Sequence, residues 1–320
     1  MSEVAFRTAI CEALEEELAS DDDVLVFGED VAAAGGVWAT TRDLMSRHGA
    51  DRVFDTPISE LALSGAAFGS AICGKRPVIE IMFGDFLTLA MDSLVNQAAK
   101  WWYLSSGQVR IPLVVRSAIG GGGRFGAIHS QVPISWFMGV PGLKIVCPST
   151  PNDAKALLRA SIQDDNPVLF LEHKRLYAVK GVVDTEPTQI GSARIVRPGR
   201  DVTVVTAMNI VSAATVAADQ LAADGIAVEV IDLRTLRPLD IETVLNSVRK
   251  TGRLLVVEEG PRTGGWAGEV IAEVSEAALE YLDEAWRLAC PNTPIPYSPP
   301  LEDAFLPSAD SIATSIRARM

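Results

Sequence analysis

Arg52-Val53-Phe54-Asp55-Thr56-Pro57-Ile58-Ser59-Glu60 passes from one kind of backbone to another partway along its length. The apolar start reads as a strand. Pro57 lacks an N–H and biases Thr56 away from helical angles, so the strand cannot run on and a turn of fixed shape follows. Ser59 is expected to cap a helix, with Glu60 in its first turn at the positive end of the helix dipole. Residues 61–73 are apolar or small almost throughout, which predicts a helix buried on all sides. A carboxylate in such a place needs a partner. Read locally, Glu60 is a helix-capping group before it is a catalytic one.

Outward from this stretch the same strand–turn–helix unit recurs. Apolar runs of strand length are predicted at residues 24–27, 77–83, 112–116, 143–147 and 168–171. They alternate with helices predicted at 4–19, 40–48, 85–100 and 153–163, the last capped by Thr150 or Asn152. Continuous apolar strands between helices make an α/β fold with a doubly wound, mainly parallel sheet. Residues 174–193, polar and containing Gly181 and Pro187, read as a linker. Beyond it the architecture repeats, with strands at 202–206, 228–231 and 254–257, helices at 211–223, 241–250 and 267–282, an extended proline-rich segment at 291–300 and a closing helix at 309–319. Two doubly wound domains are therefore expected, 1–185 and 186–320.

A chain of 320 residues can bury two cores, and 48% apolar residues suit that. With 28 basic and 41 acidic residues the net charge is −13, which argues against nucleic acid or an anionic membrane as the main partner. Apolar runs end after about ten residues, against the roughly 20 needed to span a bilayer, and no leader pattern is visible, so a cytoplasmic protein is expected. Cys11, Cys73, Cys147 and Cys290 lie far apart in apolar surroundings and are expected to be buried, reduced thiols.

Ligands of open α/β sheets gather at the carboxyl ends of strands. Glu29 and Asp30, directly after the 24–27 strand, are candidates for site or turn roles there. His129 follows a strand and the glycine run 120–123, where an imidazole suits proton transfer near neutral pH. The glycines are no phosphate loop, because no Lys-Ser or Lys-Thr follows them. His48 and His173 read as ordinary surface or linker residues. Phe86, just past the 77–83 strand, is placed to stack on a flat ligand, whereas Trp101-Trp102-Tyr103 reads as core or subunit interface.

Seven motifs stand in order along the chain: Gly28-Glu29-Asp30-Val31, Asp55-Thr-Pro-Ile-Ser-Glu60, Gln97-Ala-Ala-Lys100, His129-Ser-Gln131, Pro141-Gly-Leu-Lys144, Asp232-Leu-Arg-Thr235 and Leu301-Glu-Asp303. Together they resemble the beta subunit of the thiamine-diphosphate-dependent decarboxylating component of 2-oxoacid dehydrogenase complexes, the group that includes the pyruvate, branched-chain and acetoin enzymes. The resemblance implies a transketolase-like pyrimidine-binding domain followed by a transketolase-like C-terminal domain. It implies that Glu60 and Glu29 belong to the cofactor site, Glu60 hydrogen-bonding a ring nitrogen of the aminopyrimidine, and that Phe86 stacks near that ring. It also implies that His129 serves the transfer of the acyl group to a lipoyl arm on an acyltransferase core subunit, and that backbone carbonyls of Leu113, Ser161, Ile162, Asp164 and Asn166 hold a structural potassium ion.

The diphosphate and its magnesium ion are held in this superfamily by a Gly-Asp-Gly motif, and this chain has none. An alpha subunit is thus expected to supply that half, in an alpha2-beta2 heterotetramer. The loop Gly120-Gly-Gly-Gly-Arg-Phe-Gly126 keeps the family's length but matches no single substrate class. Pyruvate is the first expectation, with acetoin an alternative. Half of a split transketolase is a further alternative, but the Arg and His residues of a sugar-phosphate anchor are not seen. A non-catalytic scaffold, docking the acyltransferase core through 291–300 and Leu301-Glu-Asp303, is another.

Overall fold

The computed structural model describes residues 3–184 and 188–320. In chain order the strands are β1 (Glu3–Ala5), β2 (Val24–Gly28), β3 (Val53–Asp55), β4 (Arg76–Phe83), β5 (Val114–Ile119), β6 (Lys144–Val146), β7 (Val168–His173), β8 (Lys180–Val182), β9 (Arg194–Arg197), β10 (Val202–Thr206), β11 (Val228–Asp232), β12 (Thr235–Arg237), β13 (Arg253–Pro261) and β14 (Glu284–Cys290). A seven-stranded sheet runs β12-β6-β7-β5-β4-β2-β3, and a five-stranded sheet runs β14-β13-β10-β11-β9. Every pairing in the larger sheet is parallel except β12 with β6, and in the smaller sheet only β9 with β11 is antiparallel. The α/β class with mainly parallel sheets is as the sequence predicts.

The chain leaves β2 for β3 on one side and returns to β4 on the other, so the order reverses between β2 and β4. A crevice opens at such a switch point, outside the carboxyl ends of the strands. The core follows from continuous apolar strands: Val78, Ile79, Ile81, Val114, Val115, Leu169 and Phe170 are all buried. It joins without a break to Val205, Ile231, Val256 and Trp266 of the second block.

The structure departs from expectation at several places, each for a physical reason. The helix Glu60–Ile72 is not buried all round. It buries Leu63, Ser64, Ala67, Phe68 and Ala71, while Ile58 and Leu61 are 75% and 59% exposed. The helix therefore keeps one apolar face open on this chain. The predicted helix over 85–100 is a short 3-10 turn Gly84–Thr88, then a π-helix Asp92–Ala98 leading into the helix Ala99–Leu104. Asn96 and Gln97 both donate to the Asp92 carboxylate, a spacing that the wider π turn allows. Cys73 is exposed and Cys11 half-buried, and only Cys147 and Cys290 are the buried thiols expected.

The linker over 174–193 is partly structured, since β8 pairs antiparallel with β1. Pro187 and the expected boundary at 185/186 lie outside the described residues. Thr235–Arg237, a strand the sequence does not predict, completes the first sheet from within the second block. Beside it Asp232 accepts from Ser149 Oγ (2.8 Å), and Arg194 reaches both Asp153 and Asp232 (3.3 Å each). The motif Asp232-Leu-Arg-Thr235 thus fastens the two blocks together. Two other motifs also meet: Lys100 Nζ donates to Pro141 O (2.8 Å), and Gly142 lies so close to Ala99 that a Cβ there would stand 1.9 Å from its carbonyl oxygen. No described helix is long and apolar enough to cross a membrane.

Candidate functional site

Four neighbouring parallel strands, in the order β3-β2-β4-β5, are each followed by a residue singled out from the sequence. Glu60 opens the helix after β3, Glu29 directly follows β2, Phe86 lies in the turn after β4, and His129 lies in the loop after β5. Parallel pairing brings all four to one edge of the sheet, across the switch point. Sequence separation hides this closeness, because register alone sets it.

Ser59 precedes the helix but its side chain makes no cap hydrogen bond, and Glu60 is half-buried with no hydrogen bond or ion pair to any described residue. Asp55 shapes the turn instead, accepting from the N–H groups of Ala32 (2.7 Å) and Ala33 (3.1 Å). Burial pushes the Glu29 carboxyl above its ordinary range, and the charges of Asp30 and Glu60 add to this. Neither Glu29 nor Glu60 has an ion-pair partner among the described residues.

The His129 ring stands edge-to-face against Phe83 (4.7 Å) and Phe86 (5.5 Å), and those two phenylalanines are 6.2 Å apart. Asp85, buried beneath them, accepts from Gln131 Nε2 (2.8 Å), while its Oδ2 has no partner. Trp38 stacks on Tyr177 at 5.0 Å with its indole Nε1 also unpaired. Unpaired buried polar atoms at one end of a sheet are groups that a ligand can satisfy.

The five carbonyls expected to hold potassium lie along one seam. Ile111 N–H donates to Asp165 O (3.1 Å) and Val168 N–H to Leu113 O (2.8 Å), bringing the start of β5 beside the end of the helix Pro151–Gln163. Arg76 already donates to the carbonyls of Ile162 (3.1 Å) and Asp164 (3.2 Å). Ser161 is buried with its hydroxyl on Leu157 O (2.6 Å), and Asn166 folds back onto the Asp164 carboxylate (2.9 Å).

Sequence reading missed a buried cluster behind His129. His173 Nδ1 accepts from Arg175 N–H (3.2 Å), so the ring's proton lies on Nε2, which donates to Glu259 (2.9 Å). Burial alone would raise the Glu259 carboxyl, but His173, the Gly121 N–H and Asn209 bring it down to about 2. Lys174 is buried, and desolvation lowers its ammonium to about 8 against the pull of Asp85, Glu259 and Glu302. One signal could have found these residues. Glu172-His173-Lys174 follows the strand predicted at 168–171, the same placement that singled out His129, but its polarity made it look like linker.

Leu301-Glu302-Asp303 is also placed unexpectedly for a docking segment. Glu302 is fully buried and bonds within the chain, to Gly122 N–H (2.9 Å) and Arg124 (2.7 Å).

Residues 2–180 match the family described as transketolase, pyrimidine binding domain, and residues 191–312 match transketolase, C-terminal domain. The acetoin:2,6-dichlorophenolindophenol oxidoreductase subunit beta of Cupriavidus necator is 44% identical across 99% of this chain and 97% of its own length. The 2-oxoisovalerate dehydrogenase subunit beta and the pyruvate dehydrogenase E1 component subunit beta of Bacillus subtilis are 42% and 41% identical, each across 99% of this chain and 98% of their own. A solved structure described as split gene transketolase, inactive beta4 tetramer, superposes with a TM-score of 0.82 over 98% of this chain and 97% of that one, and at 22% identity it speaks for the fold alone. Matched along its whole length, this chain belongs to the transketolase-like beta subunits of the 2-oxoacid and acetoin dehydrogenases.

Proposed function

We propose that this chain is the beta subunit of a 2-oxoacid dehydrogenase, active only with an alpha subunit, that decarboxylates pyruvate and passes the acyl group to a lipoyl domain of an acyltransferase core. The observation that carries this reading is the single sheet edge bearing Glu60, Glu29, Phe86 and His129. Thiamine diphosphate, when bound there, supplies an electron sink for the bond broken beside the 2-oxo group.

The residues present suit that group. Glu60 offers a carboxylate with no competing partner to a ring nitrogen, and Glu29, whose carboxyl is raised mainly by burial, lies at the same end of the sheet. Phe86 offers an apolar wall to the pyrimidine. His129, held between Phe83 and Phe86, is assigned as proton donor in acyl transfer. Magnesium and the diphosphate are assigned to the alpha subunit, since this sequence has no Gly-Asp-Gly.

Acetoin is the second reading of the substrate, favoured by the 44% identity to the Cupriavidus subunit. Co-purification with an alpha subunit that carries Gly-Asp-Gly, followed by assay over pyruvate, branched 2-oxoacids and acetoin with an artificial electron acceptor, tests both. Turnover on pyruvate is the expected result. Turnover on acetoin alone replaces the substrate, and tight cofactor binding by the isolated chain would contradict the shared site.

Potassium at Leu113, Ser161, Ile162, Asp164 and Asn166 remains a proposal, supported by the seam of helix-end carbonyls and opposed by the guanidinium of Arg76 on two of them. It predicts a midpoint of thermal unfolding a few degrees higher in potassium than in tetramethylammonium chloride, on the order of 1 kcal/mol. Identical midpoints would remove the ion.

A further inference from the structure

The loop that carries His129 has almost no internal structure of its own. Four glycines in a row, Gly120 to Gly123, leave it free to wander, and freedom costs precision at a catalytic side chain. The loop is nevertheless gripped from several directions. At its start Gly120, at φ +91°, lies so close to His173 that a Cβ would stand 2.0 Å from the imidazole Nε2. The Gly121 N–H donates to Glu259 Oε1 (2.5 Å) and the Gly122 N–H to Glu302 Oε1 (2.9 Å). Arg124 completes the grip on Glu302 Oε2 (2.7 Å) and on Asp303 (2.7 Å). Both carboxylates that receive backbone N–H groups come from the second block of the chain.

At its far end the loop is held by Lys174. Its ammonium lies 5.3 Å from the ring centre of Phe83 and 5.1 Å from that of Phe125, and it donates a hydrogen bond to the main-chain carbonyl of His129. No carboxylate pairs with it directly among the described residues. A buried lysine without an ion-pair partner is costly, and here its contacts are the His129 carbonyl and the faces of two aromatic rings. One of those rings, Phe83, also packs against the His129 imidazole.

We propose that Lys174 and Glu302 are positioning residues for His129: the second block, through Glu302, fixes the glycine run, and Lys174 fixes the carbonyl of the histidine itself. Neither touches the reacting atoms. The inference rests on the assignment of His129 to acyl transfer, so its test includes a variant of that residue.

The holoenzyme, assembled with its alpha subunit, is compared as wild type, His129→Ala, Lys174→Met, Lys174→Arg and Glu302→Gln in two assays, acylation of a lipoyl domain and decarboxylation with an artificial electron acceptor. Displacement of a catalytic group by about 1 Å costs up to roughly 100-fold, so Lys174→Met and Glu302→Gln are each expected to lose about 10- to 100-fold in the kcat of lipoyl acylation. Artificial-acceptor turnover should stay within about twofold of wild type, as these residues do not meet the site of bond cleavage. Lys174→Arg, which keeps a cation able to donate, should recover most of the acylation. If Lys174→Met does not assemble, Glu302→Gln decides the outcome. Equal losses in both assays for the Lys174 and Glu302 variants, while His129→Ala separates the assays, would overturn the positioning role. Equal losses for His129→Ala as well would overturn the assignment of His129 beneath it.

Discussion

Replacing Glu60 with glutamine is expected to lower turnover of the assembled enzyme by about 10²- to 10³-fold in every assay, the size of effect seen when one preorganised polar group is taken from a transition state. The fold should not suffer. Glutamine has the same shape, Glu60 makes no hydrogen bond or ion pair within the described chain, and its helix is held by Leu63, Ala67 and Phe68. The substitution also removes one of the causes that raise the Glu29 carboxyl, so that group should titrate closer to its ordinary range in the variant. Turnover and unfolding, measured on the same preparation, separate the two effects. Near-wild-type turnover would end the case for Glu60 as the activating carboxylate.

Replacing Arg116 with methionine is expected to destabilise the chain by about 3–5 kcal/mol, a large share of the roughly 5–15 kcal/mol that a typical protein has. Arg116 is almost fully buried, and it donates through Nε to Glu172 (2.7 Å), through a terminal nitrogen to Glu172 again (3.0 Å) and through the other to Glu80 (2.8 Å). Tyr177 adds a hydrogen bond to Glu172 (2.8 Å). Without the guanidinium two carboxylates stay buried against each other. Burial already raises the Glu172 carboxyl, and loss of Arg116 should raise it further. A carboxyl whose folded-state pKa lies above its unfolded value adds stability at low pH and loses it as pH rises. The variant should therefore be more destabilised at about pH 8 than at about pH 6. Replacing Arg116, Glu80 and Glu172 together with apolar residues of similar volume should return most of the loss, since desolvation offsets much of what such a cluster gains. Urea unfolding at the two pH values measures both claims, and a single variant as stable as wild type would refute them.

The sequence was most legible where a residue's role is set by its own strand. Glu29, Phe86 and His129 stand out by their place after an apolar run. Glu60 reads locally as a helix cap and gains a site role only from the family resemblance. Parallel pairing brings all four candidates to one end of the sheet. It was least legible where the partner lies far along the chain. Nothing near His173 announces Glu259, 86 residues away, and nothing near the glycine run announces Glu302. Lys174 looked like one charge among several because polarity marks a surface only on average. The helix after Glu60 misled in the opposite sense: its composition is that of a buried helix, yet Leu61 and Ile72 stand exposed on this chain. The three residues of β12 are too few to show a period, so only the structure could place them.

That short strand has a consequence for how this protein can be divided. Thr235–Arg237 covers the outer edge of β6 with residues encoded well beyond the 185/186 division expected from the sequence. A gene fragment stopping there would yield a sheet with a bare strand at its rim, open to pairing with any neighbour. Swapping the carboxyl half between relatives would likewise exchange part of the amino half's own sheet. Chimaeras joined at the apparent linker are thus expected to assemble less well when the two parents differ at residues 235–237 than when they agree there, and a library scored for assembly would reveal that bias.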